Sequence, residues 1–254
     1  MKIGIVGYGH VGKAMHNLFT NAVIYDKFLK IGCREKINEC DAVFICVPTP
    51  SCQDGSCNTM AVEEVIAWVK AEVIILRSTV PIGFTEKMCE IYKKDIVFQP
   101  EYYGETVDHP FVDLQTRRWL TFGGTSKANN LAIKVYQDVI NSDVHIYLSD
   151  SKTAELAKYM ENAYLALKVT FCNEMYDIAS ALGIDYNLLR ELWLADPRIG
   201  RSHTFVYEQN RGYGGSCLPK DVAALIHQAE EVDIDISLMK SVVSKNSSYK
   251  NNIK

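Results

Sequence analysis

The sequence predicts an α/β fold: an N-terminal doubly wound, mostly parallel sheet, followed by an all-helical domain built on one long central helix. Short apolar runs alternate with helical patterns through the first half of the chain. A glycine-rich turn, Gly7-Tyr8-Gly9-His10-Val11-Gly12, joins the first run to the first helical pattern. From Ser149 onward the strand pattern gives way to helical periodicity. These observations divide the chain into residues 1–148 and residues 149–254.

Residues 2–6 read as a short apolar strand. The helical pattern Val11, Ala14, Met15, Leu18 follows the glycine turn, and a second strand at 22–25 ends at Asp26. A strand, a G-x-G-x-x-G turn, a helix, a strand and then an acid form the dinucleotide-binding, Rossmann-like signature. The first two glycines allow a tight turn and close pyrophosphate approach, and the third lets the helix pack on the sheet. The phosphates then meet unpaired N–H groups at the helix N-terminus. Asp26 stands where an acid binds both ribose hydroxyls and repels a 2′-phosphate, so NAD is expected rather than NADP, with neighbouring Lys27 slightly weakening that preference.

Further strands are expected at 42–47, 73–77, 96–99, 119–123 and 144–147, with helices near 62–70, 85–92 and 128–140. The interval from Asp26 to Asp41 is short, so the second crossover is clipped. Polar loops leave the strands at Pro48-Thr49-Pro50, Ser78-Thr79-Val80-Pro81 and from Pro100-Glu101 through Glu105. In open α/β sheets that edge carries the ligand site.

In the second half, residues 149–182 read as one helix, with Asp150 or Ser151 near its start and Gly183 ending it. Its apolar positions include Leu156, Ala163, Leu167, Phe171, Met175 and Ile178. Lys158 and Asn162 share one face, and taken alone they read as a solvent-facing polar pair. Such a helix is roughly 48 Å long. The helices expected at 187–194, 217–231 and 236–246 hardly cover it, so a second copy of the chain is expected to bury the remainder as a homodimer. The tail at 247–254 reads as polar and frayed.

The most chemically specific stretch is Gly212-Tyr213-Gly214-Gly215-Ser216-Cys217-Leu218-Pro219-Lys220-Asp221. Gly214 and Gly215 would let backbone approach a ligand closely. Ser216 is expected to cap a helix starting near Cys217, with Pro219 in its first turn. That places a thiol at the positive end of a helix dipole, where a thiolate is favoured. The same letters also describe a glycine turn before a surface helix, with the cysteine as core filler.

Composition narrows the function classes. The chain has 254 residues, is 48% hydrophobic and 23% charged, and carries a formal net charge of -4. This gives no electrostatic case for nucleic acid or anionic membrane. No apolar run reaches the ~18 residues of a membrane span. The strand-like first residues leave no room for a signal peptide, so a cytoplasmic location is expected. The 8 cysteines fall mostly inside apolar or helical patterns. Cys52 and Cys57 flank a turn, where a local disulfide or half a metal site would fit, but no second ligand pair follows and no metal is expected. Asn246-Ser247-Ser248 matches a glycosylation sequon, without meaning in a cytoplasmic protein.

Taken together, GYGHVG, Asp26, ICVPTP, STVPIGFTE, QPEYYGE, AELAKYMENAYLALK, ADPRIG and GYGGSCLPKD resemble the UDP-glucose/GDP-mannose dehydrogenase family, in order through nearly the whole chain. The resemblance implies oxidation of the C6 alcohol of a nucleotide sugar, most often UDP-glucose, to a carboxylate, with two NAD consumed through a thioester on Cys217. It implies that Lys158 and Asn162 stabilise oxygen on C6, and that Asp221 is a base or water organiser. Glu101 and Thr79 would position the hydrolytic water. Thr49, Thr79, Glu105 and Lys220 would lie near the nicotinamide, while Gly7, Tyr8, Gly9, His10, Val11 and Gly12 form the cofactor loop. Glu101, Tyr102, Tyr103, Glu105, Lys158, Asn162 and Gly214 would line the sugar pocket, and Arg198 would reach the partner subunit's substrate. Tyr102-Tyr103-Gly104 replaces the family's usual Phe-Leu-Arg or Phe-Leu-Ala, and residues 201–211 are longer than in many relatives and lack their Pro-Gly. Family members usually continue into a nucleotide-clamping domain, which this sequence does not include. A short enzyme, a separate chain supplying that domain and a fragment of a longer reading frame all fit. The competing activities are a two-domain β-hydroxyacid dehydrogenase, which uses a Lys-x-x-x-Asn helix without a cysteine nucleophile, and a non-catalytic NAD-binding subunit.

Overall fold

The computed structural model describes residues 1–102 and 118–251. Two compact units emerge, Met1–Pro50 with Cys57–Lys158, and Ser51–Ser56 with Tyr159–Lys254.

The first unit holds a seven-stranded sheet of β1 (Ile3–Val6), β2 (Val23–Tyr25), β3 (Ala42–Ile45), β4 (Val73–Leu76), β5 (Ile96–Phe98), β6 (Trp119–Gly123) and β7 (His145–Ser149), in the order β2-β1-β3-β4-β5-β6-β7. All neighbours run parallel except β5 and β6. The inner strands are apolar at consecutive positions because both faces are covered. Ile5, Phe44, Ile75 and Phe122 pack with Met15 of α1 (His10–Leu18) and with Ala132 and Tyr136 of α5 (Ser126–Tyr136). Val6, Ile45, Ile74 and Leu76 face the other way. They pack with Ile37 of α2 (Arg34–Ile37), Val62 and Ile66 of α3 (Met60–Trp68), and Met88 of α4 (Phe84–Tyr92). The four residues of α2 are the clipped second crossover.

The long helix α6 (Ser151–Ala181) has 31 residues. Asp150 Oδ1 accepts from Thr153 N at 2.9 Å at its start. Gly183 ends it with φ +69°, and Ile184 N returns to Ala179 O at 2.8 Å. Leu156, Phe171 and Ile178 are exposed on it, whereas Ala163, Ala166 and Cys172 are buried. The second unit continues with α7 (Tyr186–Leu194), α8 (Leu218–Glu231) and α9 (Ser237–Asn251). Its core joins Ala163, Ala166, Tyr213, Val222, Met239 and Val242.

The structure departs from expectation at the tail, because α9 runs on to Asn251 rather than fraying at 247. Asn246 and Tyr249 are buried on its inner side, and that burial carries a polar sequence into the helix. The eight cysteines are all free thiols. No helix among the described residues is long and apolar enough to cross a membrane.

Candidate active-site residues

The loop after β1 has the shape a dinucleotide requires. Gly7 sits at φ +91°, and a Cβ there would lie 2.8 Å from the Cys46 carbonyl atoms. A Cβ on Gly12 would fall 2.0 Å from Gly7 O, so only glycine lets α1 pack this closely. Gly9 is the N-cap of α1, with no side-chain cap, and a Cβ there meets nothing within 4 Å. An uncapped helix N-terminus facing open space suits a pyrophosphate. His10 and Val11 open the helix, and the Tyr8 hydroxyl lies 2.7 Å from His16 Nδ1. Asp26, just after β2, accepts from Tyr8 N at 2.7 Å, Phe28 N at 2.9 Å and Leu29 N at 2.8 Å. Burial raises the Asp26 carboxyl, but the N–H groups of Leu29, Tyr8 and Phe28 outweigh it and hold it below the usual carboxylate value. The anion is thus fixed beside the glycine loop, as a ribose diol requires.

The loops leaving β3, β4 and β5 lie on neighbouring parallel strands and are laced together. Thr49 Oγ1 donates to Thr79 O at 2.7 Å, and Ser78 Oγ donates to Val47 O at 2.6 Å. Arg77, 1% exposed, donates from Nη1 to Gln99 O and Pro100 O at 3.3 Å each, and from Nη2 to Glu101 Oε2. Tyr102 packs edge-on against Trp119, with ring centroids 4.8 Å apart. Above its ring lies the Lys158 ammonium, 4.8 Å from the centroid. Lys158 is only 7% exposed, so it is not a solvent-facing residue. Upstream on α6, buried Glu155 accepts from Gly83 N at 2.5 Å and Thr85 N at 2.9 Å, which satisfies the N-terminus of α4. Tyr103 and Glu105 lie outside the described residues.

In the second unit, α8 begins at Leu218 with Pro219 in its first turn and Cys217 itself as N-cap. Ser216 therefore does not cap the helix, contrary to the sequence expectation. Its hydroxyl lies 3.6 Å from the Cys217 sulfur instead. The exposed thiol thus stands at the helix N-terminus. One turn on, Asp221 is 1% exposed, and its N–H returns to Cys217 O at 2.9 Å. Asn162 Nδ2 donates to Asp221 Oδ2 at 2.5 Å, and Lys220 Nζ donates to Oδ1 at 2.5 Å. Asn162 and Lys220 thus converge on Asp221, one turn after Cys217. Arg198 pairs with Asp196 of its own turn, with Nε 3.0 Å from Oδ1. Gly214 lies beside Lys250, whose Nζ would be 3.4 Å from an added Cβ.

Sequence reasoning passed over several residues. Arg77 sits at the end of an apolar run, and Glu155 sits one turn before Lys158. Around the glycine stretch, Arg211 donates to Asn173 Oδ1 at 2.6 Å and to Asp177 Oδ1 at 2.6 Å. Asn246 Oδ1 accepts from Tyr213 N at 2.7 Å, and its Nδ2 donates to Tyr213 O at 3.1 Å. A sequon was the only mark on Asn246, and its burial removes it as a glycan acceptor.

The NAD-binding-domain model of the UDP-glucose/GDP-mannose dehydrogenase family matches residues 16–140, and its central-domain model matches residues 152–248. The chain is 31% identical over 235 residues to UDP-glucose 6-dehydrogenase of Pseudomonas aeruginosa, covering 85% of this chain and 50% of that protein. It is 31% identical over 223 residues to a Bacillus subtilis UDP-glucose 6-dehydrogenase, covering 82% and 49%. The chain spans about half the length of the curated relatives it matches. Its fold is similar to a UDP-glucose dehydrogenase from Pyrobaculum islandicum, with TM-score 0.83, 25% identity and coverage of 97% and 68%. A 3-hydroxyisobutyrate dehydrogenase from Mycobacterium tuberculosis shares the fold at TM-score 0.73 and 16% identity, covering 99% and 94%.

Proposed function

Because the chain belongs to the UDP-glucose/GDP-mannose dehydrogenase family and carries its NAD-binding domain, we propose that it oxidises the C6 alcohol of a nucleotide sugar, UDP-glucose foremost, to a carboxylate. The observation that carries this reading is the buried Asn162–Asp221 pair, with Lys220 on the other Asp221 oxygen, one turn after an exposed thiol at a helix N-terminus. A β-hydroxyacid dehydrogenase has no use for that thiol, and a subunit that had lost turnover has no use for the set.

When bound, NAD would supply the hydride acceptor for both oxidations, alcohol to aldehyde and thiohemiacetal to thioester. The glycine loop and the α1 N-terminus would hold its pyrophosphate, and Asp26 would hold its ribose. Thr49 and Lys220 would serve its nicotinamide end. Cys217 sulfur attacks the C6 aldehyde: a C–S bond forms and the carbonyl electrons move to oxygen. The Lys158 ammonium and the Asn162 amide stabilise that oxygen. Asp221, held ready by Asn162 and Lys220, takes the proton that accompanies sulfur attack or orders the water that carries it. Glu101 and Thr79 position the water that finally attacks the thioester, where a C–O bond forms, the C–S bond breaks and Cys217 leaves as thiolate. Tyr102 supports Lys158 from below. Arg198 serves a second copy of the chain in a homodimer.

The test is to incubate the full chain with NAD and a panel of UDP- and GDP-sugars and small hydroxyacids, following absorbance of the reduced cofactor. Reduction with a nucleotide sugar, UDP-glucose first, is expected. Reduction with a hydroxyacid alone, or with nothing in the panel, would contradict the proposal.

A further inference from the structure

We propose that Asn246, on α9, is a positioning residue that sets the Cys217 loop; this rests on reading Cys217 as the nucleophile. The Asn246 amide makes both possible bonds to one peptide group, accepting from Tyr213 N at 2.7 Å and donating to Tyr213 O at 3.1 Å. Only an amide offers donor and acceptor at this reach: a carboxylate would face the Tyr213 carbonyl with a second oxygen. Gly212 is shaped to the same contact, since a Cβ there would fall 2.3 Å from Asn246 Oδ1, and its φ is +73°. From the other side, Asn173 Oδ1 accepts from Gly212 N at 3.2 Å and from Arg211 Nε at 2.6 Å. Successive N–H groups, of Gly212 and Tyr213, are therefore taken by asparagines of two different helices.

The Tyr213 side chain is 5% exposed and belongs to the core with Val222 of α8, so the anchored peptide and the helix that follows are packed on one another. Beyond Tyr213 the chain has only Gly214, Gly215 and Ser216 before the sulfur. Backbone of this kind holds little conformation of its own. The place of Cys217 at the α8 N-terminus is therefore set from both ends, by α8 itself and by the Asn246 clamp on Tyr213. Releasing the clamp lets the glycines fluctuate and draws the sulfur out of the field of the helix N-terminus, which lowers its thiolate fraction.

Iodoacetamide alkylation at neutral pH, mapped by peptide mass, reads this directly. Cys33 and Cys52 are also exposed, so they serve as controls within the same molecule. In Asn246→Asp, Cys217 is expected to react roughly threefold or more slowly, the size of a helix-terminus effect on an anion. Cys33, Cys52 and the NAD affinity stay unchanged, and kcat falls with little change in KM. Met239→Ala thins the core that Tyr213 shares but keeps both Asn246–Tyr213 hydrogen bonds, and should leave the Cys217 rate alone. Should Asn246→Asp not fold, Asn246→Ser gives the same reading. An unchanged Cys217 rate, or an equal fall in Met239→Ala, overturns the positioning role. Turnover that persists in Cys217→Ser would instead overturn the nucleophile reading, whatever the alkylation rates show.

Discussion

Arg77 and Asp26 show how much a single side chain carries here. Arg77 is fully buried, and its guanidinium holds two carbonyls and the Glu101 carboxylate at once. Arg77→Met breaks the buried Arg77–Glu101 pair and should destabilise the chain by about 3 kcal/mol in urea unfolding. Arg77→Lys should not restore it, since a point charge cannot span all three acceptors. For Asp26 the sign follows from its lowered carboxyl. Its contribution to stability is fully present above the unfolded value and is lost as pH falls through the lower folded one. The stability gap between the parent chain and Asp26→Asn should therefore be widest at neutral pH and shrink below about pH 4, the unperturbed aspartate range. Asp26 was legible in the sequence because its role depends on distance along the chain from a glycine turn. Arg77 was not, because an arginine after Val-Ile-Ile-Leu reads as a strand end until the neighbouring strand supplies its partners.

At the scale of elements, α1 separates two kinds of glycine. Gly12→Ala drives a methyl into the Gly7 carbonyl and should cost about 3 kcal/mol, with loss of the β1–α1 packing. Gly9→Ala meets no atom and should cost only about 0.5 kcal/mol. It should nonetheless weaken NAD binding measured by calorimetry, because the methyl enters the space where the phosphates approach. The sequence pattern foretold these elements well wherever apolar period and turn chemistry coincided, as in β1, α1, β4 and α6. It failed at the ends. Ser216 has the composition of a cap, but Cys217 takes the N-cap position. The polar face of α9 hid the buried Asn246 and Tyr249. Lys158 and Asn162 look like a solvated pair until Tyr102, in one case, and Asp221, in the other, come across the fold to meet them.

At the scale of the whole molecule, α6 displays Leu156, Met160, Tyr164, Phe171 and Ile178, all exposed, at spacings that keep them on one face. A row of this length on a single helix suits a self-complementary contact. Light scattering should give twice the chain mass, and Met160→Glu with Tyr164→Glu should give the monomer while leaving NAD binding intact. A parent chain that scatters as a monomer would rule out the homodimer. On the proposed chemistry, one thiol carries an alcohol to a carboxylate. Oxidation from alcohol to acid removes four electrons, and each NAD accepts two. The most direct measurement is the ratio of reduced cofactor to sugar consumed, in the parent chain and in Cys217→Ser. Two to one is expected in the parent, and no carboxylate from the variant. A ratio of one to one, or unimpaired carboxylate formation without the Cys217 sulfur, would contradict it.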